Sequence, residues 1–89
     1  MKIYHTESFK KNDAFTEYLG ADRKAAIEAG NTAWQSLSSY DKKITVIEVQ
    51  EWNLPDDIDA TDSDAVYDAM LEALDYDIVT SFEHKEKKS

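Results

Sequence analysis

The chain has 89 residues, no cysteine, 42% hydrophobic residues and a formal net charge of −9 at pH 7. Its length allows one domain, which buries about 60–65% of the surface that the unfolded chain exposes. The lack of cysteine excludes disulfides and thiolate metal sites. Strong acidity disfavours direct binding to nucleic acid or anionic lipid and favours a basic protein partner. No apolar run approaches the ~20 residues of a membrane span, and no signal peptide is recognised, so we expect one soluble, cytoplasmic domain over residues 1–89.

The first half of the chain carries strand and helix signals in alternation. Residues 3–9 alternate in the manner of a half-buried strand, and residues 10–13 are typical of a turn. Residues 14–19 fit either a helical turn or a short return strand. Asp22 suits the N-cap of a helix that runs to Leu37. Small side chains on that helix predict a close approach to a sheet: Ala26, Ala29, Gly30 and Ala33.

The second half contains the strongest strand and the most regular helix. Residues 38–43 look like a polar turn, and residues 44–54 predict a strand that ends at Pro55, because proline cannot donate to a sheet. The spacing of Thr61 and Asp64 resembles a capping box and predicts a helix over 62–76. Apolar residues share one arc of this helix: Val66, Tyr67, Met70, Leu71, Leu74 and Ile78.

The end of the chain is less regular. Residues 78–82 fit either more helix or a strand, and residues 84–89 form a basic tail that we expect to fray. The elements together predict an α+β fold, a small antiparallel sheet containing 3–9 and 44–54 and packed by two main helices. If the strand 44–54 lies at an edge it can pair with a second copy, so a monomer or a weak homodimer is expected.

The strongest functional signal is the charge of residues 44–83, which carry 12 carboxylates and no Lys or Arg. Asp64, Asp68 and Glu72 repeat at i,i+4, which disfavours an isolated helix because like charges repel. With Asp75, four charges span about 16 Å of helix axis, close to the spacing of one phosphate per ~3.4 Å of a DNA strand. The surface either imitates DNA phosphates or only keeps the protein soluble.

The predicted binding surface extends from this helix into the preceding acidic loop. Trp52, which ends the strand beside the loop, is either an exposed aromatic anchor for a partner or a lid on the core. The candidate partner-binding residues are Trp52, Asp56, Asp57, Asp59, Asp62, Asp64, Asp68, Glu72 and Asp75. Under the binding hypothesis these carboxylates take the place of phosphates and pair with arginines and lysines of the partner.

No catalytic residue, cofactor or metal site is predicted. Residues 57–61 read Asp-x-Asp-x-Thr and resemble the start of an EF-hand loop. However, Asp62 stands where the loop needs glycine and Asp68 where it needs glutamate. The two histidines, His5 and His84, lie in no Ser-His-Asp or metal-ligand spacing. Two glycines in the whole chain leave no phosphate-binding loop, so we do not expect an enzyme.

A helix that ends Trp34-x-x-Leu37 leads through a lysine-rich turn at 40–43 into a strand at 44–49. Over residues 22–52 this succession resembles small proteins of phages and other mobile elements of Gram-positive bacteria. The small size, acidity and lack of enzyme motifs are similar to anti-CRISPR and anti-restriction inhibitors, several of which imitate DNA. The resemblance concerns the fold and carries no residue-by-residue site.

The resemblance implies a stoichiometric inhibitor of a DNA-binding defence nuclease, acting by DNA mimicry in the bacterial host cell. A Cas9-type nuclease is the leading candidate, because its motif-reading arginines and basic channel offer a matching positive surface. The alternative is a non-inhibitory acidic module, an accessory or antitoxin-like subunit that docks on one basic partner. A third possibility is a soluble accessory protein whose charge has no binding role.

Overall fold

The computed structural model describes residues 1–73 and 75–84. The elements in chain order are β1 (Lys2–Lys10), β2 (Asp13–Gly20), α1 (Arg23–Gln35), α2 (Ser39–Ile44), β3 (Thr45–Asn53), α3 (Ser63–Ala73) and β4 (Asp77–Phe82). The predicted α+β fold, with an antiparallel sheet and two main helices, is confirmed. No helix in the described ranges is long and apolar enough to cross a membrane.

The four strands form one antiparallel sheet in the order β2-β1-β3-β4. β1 and β3 are its central pair, in continuous register from Lys2 opposite Asn53 to Lys10 opposite Thr45. The strand predicted over 44–54 is therefore not at an edge. Because both of its sides are hydrogen-bonded within the chain, it cannot pair with a second copy, and the sheet edges are β2 and β4.

Helices α1 and α3 cover opposite faces of the sheet, because successive strand residues point to opposite sides. On the α1 face, Tyr4 and Val49 pack with Ala26, and the Thr6 hydroxyl donates to the Ala26 carbonyl at 2.7 Å. On the α3 face the buried apolar cluster consists of Ile3, Trp52, Leu54, Val66, Ala69 and Met70. The sheet thus separates two small cores.

The small residues of α1 do allow a close approach to the sheet. A Cβ atom added at Gly30 would lie 3.0 Å from Phe82 Cε2, 3.3 Å from Val49 Cγ2 and 3.4 Å from Thr6 Cγ2. These neighbours belong to three different strands, and an added methyl group would press most closely on Phe82 and Val49. The glycine is needed here for space rather than for an unusual backbone angle.

Three local predictions are resolved or corrected. Residues 14–19 belong to the return strand β2, and the turn predicted at 38–43 is largely the short helix α2, which Ser38 caps by accepting from the Asp41 amide at 3.1 Å. Helix α3 begins at Ser63, and its cap is Asp62 instead of Thr61. The Asp62 carboxylate accepts from the backbone amides of Asp64 and Ala65 at 3.1 and 3.3 Å.

The end of α3 also differs from the prediction. The helix stops at Ala73, not at residue 76, and Ile78 belongs to β4. Within the predicted apolar arc, Val66 and Met70 are buried, but Tyr67 is 37% and Leu71 73% exposed, because Ala69 takes the third core position. Leu74 and the tail beyond His84 lie outside the described residues.

Candidate functional site

Three predicted carboxylates come together on one exposed side of α3. Asp64, Asp68 and Glu72 follow one another at i,i+4, about 6 Å apart along the helix axis. Ion pairs within the described ranges join Lys2 to Glu51, Lys10 to Asp41 and the N-terminal amine to Asp56, so none of them involves these three. We refer to Asp64, Asp68 and Glu72 as the acidic stripe.

The acids of the preceding loop have local structural contacts. Asp56 accepts from the N-terminal amine at 2.7 Å, and this hydrogen bond and the positive charge lower its pKa below the usual 3.8. Asp59 accepts from the amide and hydroxyl of Thr61, which lowers its pKa as well. Asp62 caps α3, so among the predicted loop acids Asp57 alone has no hydrogen bond or ion pair within the described residues.

Asp75 does not extend the acidic stripe, because α3 ends at Ala73. Its carboxylate accepts from the amide of Tyr76 at 2.9 Å and lines a polar pocket of about 250 Å³ with Glu51 and Asp77. The acidic stripe therefore has one charge per ~6 Å of axis, sparser than the ~3.4 Å per phosphate of a DNA strand. The loss of Asp75 shortens the row from about 16 Å to about 12 Å of axis, and the predicted match to the charge spacing of a DNA strand is wrong.

Trp52 is a core residue and not an exposed anchor. It is 9% exposed and packs under α3 with Ile3 and Met70. Its indole N–H donates to Gln50 Oε1 at 3.0 Å, and its ring lies 4.7 Å from that of Tyr76. Of the two roles that the sequence allowed, the structure supports the second, in which Trp52 covers the core. An aromatic anchor at this position is thereby ruled out for the described fold.

Basic side chains are concentrated on the opposite side of the sheet. Arg23 and Lys24 begin α1, and Lys42 and Lys43 lie on α2. The ammonium of Lys42 is 5.8 Å from the centre of the Trp34 ring, which places α2 beside α1. Since α3 and its preceding loop contain no Lys or Arg, whereas α1 and α2 carry these four basic residues beside Glu28 and Asp41, the α3 side is the more negative side of the described domain.

A groove of about 500 Å³ borders the acidic stripe. It lies between α3 and the loop that leads into it, with Pro55, Ile58 and Ala69 among its apolar lining residues. Asp68 and Glu72 form part of the same wall. An apolar side chain entering this groove would therefore be close to two carboxylates.

A second acidic cluster was not predicted. Glu7 and Glu48 are directly opposite each other in the β1–β3 register. The amide nitrogen of Gln50 donates to Glu7 Oε1 at 3.2 Å and to Glu48 Oε1 at 3.1 Å, and the Tyr76 hydroxyl donates to Glu48 at 3.3 Å. We refer to Glu7 and Glu48 as the glutamate pair.

Glu7 lines a groove on the α3 face of the sheet, which we call the strand-face groove, and Glu48 accepts hydrogen bonds from two of its lining residues, Gln50 and Tyr76. Its volume is about 370 Å³ and its lining is mainly apolar. The lining residues are His5, Glu7, Phe9, Gln50, Trp52, Tyr67, Met70, Leu71 and Tyr76. Leu71 and Tyr67, two exposed members of the predicted apolar arc, lie on its α3 wall.

His5 is held at the buried end of this groove. It is 4% exposed, and Nε2 shares a hydrogen bond with the Thr16 hydroxyl at 2.9 Å. Thr16 in turn is 2.8 Å from the Tyr67 hydroxyl, and the Tyr67 ring meets the imidazole edge-on. Burial lowers the pKa of His5 below its usual 6.5, against the opposing effect of the negative Glu7.

The sequence contained part of the signal for the glutamate pair. Period-two alternation places Glu7 on the same face as His5, and Glu48 on the same face as Gln50 and Trp52. Only the register of β1 against β3 brings the two glutamates opposite each other. That register depends on contacts between residues about 40 positions apart in the chain.

No group of three or more His, Asp or Glu side chains is placed to hold a metal ion in the ranges 1–73 and 75–84. Comparisons with protein-family models, curated proteins and solved structures return no match to this chain.

Proposed function

We propose that this protein inhibits a DNA-binding protein by placing the acidic stripe of α3 in the cationic groove of its target. The observation that carries the proposal is the exposure of Asp64, Asp68 and Glu72 on one helix face without a neighbouring cation in the described chain. Each stripe carboxylate can accept a charge-assisted hydrogen bond from an arginine or lysine, as a phosphate does. The partner surface must therefore be strongly basic.

The polarisation of the domain supports an oriented encounter. Because the basic residues of α1 and α2 lie across the sheet from α3, a cationic partner is attracted more strongly to the α3 side than to the other. Complementary charge of this kind raises association rates and makes them fall with ionic strength. Binding through the acidic stripe should accordingly weaken as salt is added.

The target class that we propose is a defence nuclease, with a Cas9-type enzyme as the first candidate. This part of the proposal depends on the resemblance of residues 22–52 to small proteins of mobile elements. Such a nuclease has a basic channel for the nucleic acid and arginines that read the motif beside the target site. Occupation of that surface by the acidic stripe would prevent the DNA from entering.

A second candidate function has its own supporting observation. The acidic stripe is sparser than a DNA strand and borders an apolar groove of about 500 Å³, and DNA backbones offer no such groove. These features favour docking on a basic protein surface that also presents an apolar side chain. An accessory or antitoxin-like subunit of this kind would bind its partner without excluding DNA.

Competition with DNA distinguishes the two functions. The assay uses a purified Cas9-type nuclease loaded with guide RNA, a target duplex and increasing amounts of this protein. An inhibitor by mimicry displaces the duplex and stops cleavage, and its affinity falls steeply with salt. Binding to the nuclease–DNA complex without displacement favours the docking module, and no binding at all rejects this target.

Charge reversal tests the surface itself. The double variant Asp68→Lys with Glu72→Lys should weaken binding at least ~100-fold, because two charge-assisted contacts become repulsive. The matched control is Asp13→Lys with Glu28→Lys, which changes the net charge equally at exposed positions on β2 and α1. Equal losses in the two variants would mean that total charge, not the acidic stripe, determines binding.

A further inference from the structure

The strand-face groove is an apolar surface that the fold leaves open beside α3. Leu71 is 73% exposed, and the residues Tyr67 and Tyr76, which line the same groove, are each more than a third exposed. Exposed apolar and aromatic side chains that line one groove are typical of a protein interaction site. The lining lies on the flank of α3 away from the ~500 Å³ groove.

The charge at this groove specifies what kind of side chain fits it. Gln50 is 1% exposed, and its single amide nitrogen lies within 3.2 Å of an oxygen of each glutamate. The two carboxylates are thus held close together at the groove. Neither forms an ion pair with a basic side chain in the described part of the chain, so a cation from outside complements both.

An arginine matches this arrangement better than a lysine. Its planar guanidinium carries five N–H donors and can reach two carboxylates at once, whereas an ammonium acts as a point charge. Aromatic rings next to the pair, Phe9 on the β1 side and Tyr76 hydrogen-bonded to Glu48, also favour a flat cation. Leu71 offers contact to an apolar neighbour of that arginine.

From these contacts we propose that the strand-face groove binds an arginine side chain that a protein partner presents next to an apolar residue. The guanidinium bridges Glu7 and Glu48, and the apolar residue packs on Leu71 and Tyr67. This site uses none of the residues of the acidic stripe, so it does not rest on the proposed inhibitory function.

A short peptide provides the direct test. The full chain is titrated with acetyl-Leu-Arg-Leu-amide and, as the matched probe, acetyl-Leu-Gln-Leu-amide, while NMR follows the side-chain N–H groups of Gln50 and Trp52. The arginine peptide should shift both signals and bind at least about tenfold more tightly than the glutamine peptide, since a charged hydrogen bond contributes more than a neutral one. Equal affinities for the two peptides would overturn the proposal.

Variants separate the groove from general charge. Glu7→Gln with Glu48→Gln should lower affinity for the arginine peptide about tenfold or more, whereas Asp68→Asn with Glu72→Gln, which removes the same charge from the acidic stripe, should change it less than twofold. Similar losses of affinity in the two double variants would mean that net charge alone determines peptide binding, and would reject the site. Because the stripe variant also tests the inhibitory function, the two proposals can fail separately.

A third variant keeps the test valid if the glutamate pair is needed for folding. Leu71 is largely exposed, so Leu71→Ser should leave the fold intact while weakening the arginine peptide several-fold through loss of apolar contact. Unchanged affinity in folded Leu71→Ser would remove the apolar half of the site and contradict the proposed mode of binding.

Discussion

The indole N–H of Trp52 donates a hydrogen bond to the side-chain oxygen of Gln50 at 3.0 Å, and both side chains are buried. The amide nitrogen of Gln50 donates in turn to Glu7 and Glu48. The buried side-chain amide of Gln50 therefore accepts from the core residue Trp52 through its oxygen and donates to the glutamate pair through its nitrogen. It couples the packing of the domain to the charge at the strand-face groove.

Gln50→Leu should destabilise the domain by about 2–4 kcal/mol. The substitution leaves the Trp52 N–H buried without its acceptor and removes the donors that separate two opposed carboxylates. Urea unfolding followed by tryptophan fluorescence measures the change. Gln35→Leu is the matched control, because Gln35 is exposed at the end of α1, and it should cost less than ~0.5 kcal/mol. Equal effects at both positions would contradict the network.

Gly30→Ala should destabilise the protein by about 1–2 kcal/mol, although glycine to alanine inside a helix normally gains ~1 kcal/mol. The added methyl group meets Phe82 at 3.0 Å and Val49 at 3.3 Å. The check is thermal unfolding of Gly30→Ala in the natural background and with Phe82→Leu. If Phe82 is the main obstacle, the cost of the alanine falls in the double variant. A stabilising Gly30→Ala would mean that α1 can move away from the sheet.

Asp68→Asn should stabilise the isolated domain by about 0.4–1 kcal/mol, because Asp68 is the middle charge of the acidic stripe and takes part in both i,i+4 repulsions. Asp64→Asn relieves one repulsion but loses a favourable negative charge in the first turn of α3, so it should give no gain. Chemical unfolding at low salt compares the two. The difference should shrink in high salt, and a persistent or reversed difference would contradict its electrostatic origin.

Stability should fall as the pH is lowered from 7 to 5.5 because His5 is buried in its neutral form. Its folded pKa lies below the usual 6.5 as a result of burial, so the unfolded chain takes up a proton first and unfolding is favoured in this window. The stability that depends on neutral His5 is fully present above pH 6.5 and is lost as the pH drops through the lowered pKa of His5 in the folded state. Unfolding free energies measured across the window test this directly.

The two histidines provide the control for that measurement. His5→Gln should flatten the dependence between pH 7 and 5.5, since the amide does not titrate. His84 is exposed, so His84→Gln is the matched control for replacing a histidine by glutamine. If the stability of His5→Gln still falls between pH 7 and 5.5, another titrating group causes the pH dependence.

The local pattern of the sequence was sufficient for the main elements. β-branched alternation identified residues 3–9 and 44–54 as strands, and helical spacing with an aspartate at the start identified the helices near 22–37 and 62–76. These signals depend on residues within a few positions of one another. For the same reason the α+β class and the run of carboxylates at 64, 68 and 72 could be predicted without coordinates.

Tertiary structure decided the features that depend on distant residues. The register of β1 against β3 placed Glu7 opposite Glu48, and the packing of α3 buried Trp52 and left Leu71 exposed. The end of α3 at Ala73 removed Asp75 from the acidic stripe. Periodicity specifies which side of an element is apolar, but not which part of that side meets the sheet. Pairing between strands about 40 residues apart therefore set the geometry of the strand-face groove, whereas the acidic stripe follows from helical spacing alone.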